Sequence, residues 1–257
     1  MPIHRYPLRD GNAALNPRDS LTFVSDEVVE SLSAKSGNVT NLPEAKFRHM
    51  HHNEQFATVL QQDARLVQIV DSAFADSASR SGEHLVCRPG CTQCCHGAFA
   101  INPLDALRLR AGMVRLSESE PGLAAAIEIR AQQYLREFEA DFPGDLTSGM
   151  LGTSEREQAA FEEFANDAAC PALNPESGLC DLYSARPMTC RVFGPPIRSG
   201  AEEALAVCEL CFTEATAEEV ATCEMAIPHE DETRVLETLG CGDGETIVVF
   251  CLVPAQR

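Results

Sequence analysis

The spacing of the cysteines constrains this chain more than any other feature. Cys87-x3-Cys91-x2-Cys94-Cys95 places four thiols in one short segment around Pro89 and Gly90, a pair that predicts a turn. A second group, Cys170, Cys180 and Cys190, threads through Pro171, Asn174-Pro175, Gly178 and Pro187. Proline fixes φ and removes an amide donor, so this stretch is expected to be neither regular helix nor strand. A segment without repeating backbone bonds needs another means of fixing its shape, and a bound metal would serve.

A C-x2-C spacing lets two thiolates from one turn reach the same ion. The adjacent pair Cys94-Cys95 behaves differently. Neighbouring side chains diverge from the backbone, so such a pair more easily serves two ions, or two corners of a cluster, than one tetrahedral ion. The seven thiols Cys87, Cys91, Cys94, Cys95, Cys170, Cys180 and Cys190 exceed what a single structural zinc takes. Thiolate softness suits zinc, iron or an iron–sulfur cluster, and the sequence leaves the choice open. Arg186 and Arg191 flank Cys190, where a guanidinium would offset thiolate charge and donate hydrogen bonds to sulfur. Tyr183 is placed to stack on this loop or simply to pack.

Cys208-x2-Cys211 is a lesser candidate pair, either completing a larger thiol set or forming a separate site. A thioredoxin-like redox role would need a surrounding βαβ pattern, which the sequence lacks. Cys223 falls in a predicted helix and is expected to be buried, with a spare-ligand role open if that helix folds back toward the loops. Cys241 lies in a glycine-rich loop, and Cys251 reads as a core residue. His84 and His96 adjoin the first group and are candidates for ligation or proton movement. His49, His51 and His52 read as a solvated helix start.

The twelve cysteines also bear on location. The first twenty residues contain no apolar run, and no stretch approaches the length of a membrane span. The chain is therefore expected in the cytoplasm, where thiols stay reduced. With 39 acidic residues against 20 basic ones, the formal charge is -19. An acidic surface repels phosphate backbones and anionic membranes, so neither nucleic acid nor membrane is an expected partner. A basic protein partner stays open.

Periodicity predicts a mainly α chain with irregular cysteine-rich metal-binding loops and a small β element. Residues 1–50 read as an N-terminal extension, with a short helix over 26–33, and 51–257 as the helical cysteine-cluster domain. Phe56, Val59, Leu60, Val67, Val70 and Phe74 recur at helical spacing and predict a helix over 53–78. Asn102-Pro103 predicts a cap and first-turn proline opening a helix to Leu116. Further helices are expected over 121–138 and 154–166. Thr216 with Glu219 predicts a capping box opening a helix to Met225, and Gly240 stops a helix from His229. Residues 246–253 read as a strand.

The first cysteine group, together with Cys170-Pro171-Ala-Leu173, Cys180-Asp-Leu-Tyr183 and Arg186-Pro187-Met-Thr-Cys190-Arg191, resembles the YkgJ-type cysteine-cluster family with its CxxCxxCC motif. The likeness spans residues 87–193; the first gap is three residues where the family has two. It implies a zinc- or iron-chelating domain. Some relatives are labelled iron–sulfur oxidoreductases, and flagellin lysine N-methylases share the motif. Three functions follow as expectations: a metal-binding protein with a structural, storage or redox role; an iron–sulfur enzyme such as an oxidoreductase or protein lysine N-methylase; and an acidic partner-binding module shaped by a metal. No glycine-rich loop supports a nucleotide or S-adenosylmethionine site, and no nucleophile elbow is visible. The sequence alone does not decide whether the chain is an enzyme.

Overall fold

The computed structural model describes residues 54–87, 90–198, 205–242 and 244–253. The N-terminal extension, its expected short helix and the three histidines near residue 50 lie outside them.

Among the described residues eight α-helices dominate. Helix α1 spans Glu54–Ser81, α2 Pro103–Ser119, α3 Pro121–Phe138 and α4 Glu155–Glu163. The shorter α5 (Met188–Val192), α6 (Ala217–Thr222), α7 (His229–Leu239) and α8 (Val249–Leu252) follow. The strands are two residues each: β1 (Ala100–Ile101), β2 (Gly144–Asp145), β3 (Met150–Leu151), β4 (Ile197–Arg198), β5 (Leu205–Ala206) and β6 (Thr246–Ile247). Antiparallel pairing orders one sheet β1-β6-β3-β2, and β4 pairs with β5.

The apolar face predicted for the first helix is the one α1 buries. Val59 and Val70 are fully covered, and Leu60, Val67 and Phe74 pack beside them against Leu104 and Leu107 of α2, Met188 of α5 and Val235 and Leu239 of α7. The side chain of Phe56 lies outside the described residues. Helix α2 is apolar on two faces. Its Ala106, Leu109 and Met113 enter a second cluster with Ile127 and Ala131 of α3 and Leu252 of α8. It is thus the central element, with α1 on one side and α3 and α8 on the other.

Local signals set the helix ends. Asn102 Oδ1 accepts the amides of Leu104 and Asp105 at 3.0 Å each, while its Nδ2 donates to Glu232 of α7 at 2.9 Å. Capping boxes open α4 at Ser154 and α6 at Thr216. Gly240 stops α7 in the left-handed region at φ 68°.

Two expectations need correction. The apolar run 246–253 is a strand only over Thr246–Ile247, then turns into α8. Its neighbours β1 and β3 are themselves two residues long, so a longer strand would find no ladder. Val249, Cys251 and Leu252 instead bury as a helical turn against α2 and α3. The second cysteine stretch is also less irregular than expected, because Cys190 lies inside α5, which Pro187 opens from its N-cap position.

Candidate metal centre

The two cysteine-bearing loops meet. Gln93–Cys95 forms a single 3₁₀ turn. Its exit pairs with the segment before Cys170: the Cys170 amide donates to the Cys95 carbonyl at 2.6 Å, and the Gly97 amide to the Ala168 carbonyl at 2.9 Å. The second loop is a hairpin shaped by Asn174, whose Oδ1 accepts the amides of Glu176 and Ser177 at 3.0 and 3.1 Å. A bridge between Leu173 and Cys180 closes it. At its tip Gly178 has φ 67°, and a Cβ there would lie 3.2 Å from the Gly90 Cα, so glycine lets the loops touch.

This junction gathers four thiols. Cys190 lies within electrostatic reach of Cys170, Cys180 and Cys95. Backbone amides are aimed at two of these sulfurs. The amides of Ala172 and Leu182 favour the Cys170 and Cys180 thiolates, and that of Leu173 also donates to the Cys170 carbonyl at 2.9 Å. Burial, helped by the neighbouring sulfurs, pushes the Cys170 thiol up to about 12 and the Cys180 thiol up to about 11. Cys95 and Cys190 are raised by burial as well. Tyr134 of α3 adjoins Cys170, and burial raises its phenol too.

Charged clamps hold the four in place, and the sequence pattern did not single them out. Arg130 of α3 donates from Nε to the Pro171 carbonyl at 2.7 Å and from Nη2 to Asp181 at 2.7 Å. It thereby ties the residue after Cys170 to the residue after Cys180. Asp105 of α2 accepts the Met188 amide at 2.8 Å, fixing the start of α5. Arg108 pairs with Asp105 at 2.5 Å and with Asp63 of α1, all three buried. Burial pushes Asp105 up, while Arg108 and the Met188 amide pull it down.

Both arginines of the Cys190 motif reach Asp71 of α1, Arg186 only at 3.8 Å, and their other donors differ. Arg191 is 3% exposed and spends its donors elsewhere: on both carboxylate oxygens of Asp71 at 2.9 and 2.8 Å, and on the carbonyls of Ser184 (2.5 Å) and Arg186 (3.2 Å). It braces the loop against α1 and does not fill the sulfur-donor role expected of it. Arg186 stacks over Tyr183 at 3.9 Å, and its positive charge acts on Cys180. Its Nε is buried with no hydrogen-bond partner. Such an orphaned donor beside a thiol is what a ligated thiolate or a bound sulfide would satisfy.

The remaining thiols divide. Cys94, whose sulfur lies 3.8 Å from that of Cys95, packs against a cluster holding Cys208, Cys211 and Cys223. The amide next to Cys87, that of Val86, donates to Cys211. Half-buried Cys91 sits between Gly90 and Thr92, which face the hairpin tip. Cys241 packs beside α1 and α7, and Cys251 is in the main core as expected. His84 stacks on Phe212 at 5.6 Å, and His96 holds the Thr92 carbonyl at 3.0 Å. Among the described residues no three His, Cys, Asp or Glu side chains stand close enough to hold an ion.

Half-buried thiols beside backbone amides and an unpartnered guanidinium nitrogen make a donor set whose chemistry suits a soft metal. That is the class of site the geometry describes. Residues 86–212 match the family model CxxCxxCC, described as "Putative zinc- or iron-chelating domain", which is the family the motif resembles and which supports metal binding. No curated protein and no solved structure matches the chain. Among the described residues no helix is long and apolar enough to cross a membrane.

Proposed function

We propose that this protein binds zinc or iron through Cys95, Cys170, Cys180 and Cys190, and that the ion locks the two cysteine loops onto the helical body. One observation carries the reading: backbone pairing joins Cys95 to Cys170 and closes the hairpin at Cys180, so that half-buried thiols from two distant segments share one junction with Cys190. Four thiolates on a divalent ion leave a net charge of minus two, which the Arg186 guanidinium offsets. Four cysteine sulfurs would complete the shell of a structural ion and leave no open position for a substrate. Cys87 and Cys91 are not needed for that shell.

Elemental analysis of the purified full chain tests this, with Cys170→Ser and Cys190→Ser as variants. Zinc or iron in the parent and its loss from each variant is expected. An unchanged metal content in both variants would contradict the assignment. Acid-labile sulfide accompanying iron would identify the iron–sulfur form.

A further inference from the structure

Exposed aliphatic side chains are ordinary when scattered and informative when they gather. Ile69, Ile129 and Leu146 are scattered, one each on α1, α3 and the turn between β2 and β3. Val86, Leu179 and Leu210 gather on the cysteine lobe, at 46%, 46% and 44% exposure. The Phe212 amide donates to the His84 carbonyl at 2.8 Å and the two rings stack, which sets residues 84–86 beside 210–212. Leu85, Cys211 and Phe212 fill the small core beneath, leaving Val86 and Leu210 outward. Gln93 donates to Glu209 at 3.1 Å, joining the first cysteine loop to the same edge. The hairpin tip meets the other side of that loop, where Gly178 lies against Gly90 and Thr92 and Leu179 follows.

The charge around these side chains is of one sign. Residues 205–233 hold eight acidic side chains and no lysine or arginine. Those that pair with arginine, Glu224, Glu230 and Asp231, lie further along the chain. Glu209 adjoins Leu210 in sequence, Glu83 and Glu214 flank the paired segments, and Glu176 shares the hairpin with Leu179, all four exposed. We propose that this surface docks a lysine- or arginine-rich segment of another protein, with leucine-sized side chains set between its charges. The aliphatic side chains supply contact area, while the carboxylates favour the cations and reject acidic segments. Such a contact needs the lobe folded but uses none of the four proposed metal ligands, so its failure leaves the metal reading untouched.

A chain of charge -19 attracts any cationic peptide, so the test must separate contact from charge. Fluorescence anisotropy with the full chain uses three labelled probes of equal length: lysines spaced by leucines, lysines spaced by serines, and glutamates spaced by leucines. The lysine–leucine probe is expected to bind about tenfold more tightly than the lysine–serine probe and to weaken with added salt, and the glutamate–leucine probe not to bind. Val86→Ser/Leu210→Ser, both at exposed positions, is expected to erase the advantage of leucine over serine. Glu209→Lys/Glu214→Lys is expected to weaken both lysine probes. Equal affinity of the parent for the two lysine probes overturns the proposal, as does a leucine preference left intact in Val86→Ser/Leu210→Ser. Failure of the parent to bind any probe overturns it too.

Discussion

The helical body and the cysteine-bearing lobe of this protein are stabilised by different means. In the body, α1, α2, α3, α7 and α8 bury continuous apolar faces, and each long helix satisfies its own backbone. In the lobe, residues 90–97 and 168–193 contain one 3₁₀ turn each and a five-residue helix. The rest of the lobe relies on an Asx turn, two isolated bridges and the Arg130 clamp. The body needs nothing beyond its sequence, whereas the lobe is arranged around thiols that gain most when something binds them. The contrast teaches where a metal would act: on the order of the lobe, with little effect on the helices.

Removing metal should separate the two regions most sharply. Structural zinc contributes on the order of 10 kcal/mol in small domains. Chelation is therefore expected to abolish amide-exchange protection over 90–97 and 168–193 while α1, α2 and α3 keep theirs. Equal loss everywhere would break the comparison. The next effect is on proton linkage. Burial holds Cys170 and Cys180 near 12 and 11, above the ordinary thiol range, so these ligands are protonated at neutral pH. Each must lose a proton to bind, and affinity should rise with pH by about 1.4 kcal/mol per unit per thiol. Zinc-binding calorimetry in buffers of different ionisation enthalpy should report about four protons released per four-thiol site at pH 7.

Mutations sharpen the contrast at smaller scale. Arg108→Met leaves Asp63 and Asp105 buried without their cation and should cost about 3–5 kcal/mol of global stability, read from a urea unfolding midpoint. Because Asp105 also holds the start of α5, the loss spans both regions. Arg130→Gln removes a clamp confined to the lobe. It should cost about 1–3 kcal/mol, seen as faster exchange around Pro171 and Asp181 with the α1 amides unchanged.

The sequence was most legible where one physical signal decides the outcome. The face from Val59 to Phe74, the Asn102-Pro103 start of α2 and the Gly240 stop are local or periodic, and the structure has them. The run 246–253 misled because strand length depends on partner strands, and those are short. Cys223 could not be joined to Cys208 and Cys211 because the tie runs through Ser77 and Arg80, more than 140 residues away. The same holds for Arg130, Asp63 and Asp105, whose partners are remote in sequence. Arg186 and Arg191 look equivalent in the motif. Both reach Asp71 on α1, but Arg191 holds it at 2.8 Å as a brace, whereas Arg186 reaches it at 3.8 Å and keeps its Nε donor unused.

Metal-edge X-ray absorption on the metal-loaded full chain tests the central claim most directly. Coordination by sulfur alone, with four scatterers at about 2.3 Å, is the result expected if thiols from both loops converge on the ion. A shell dominated by oxygen or nitrogen near about 2.0 Å would contradict it.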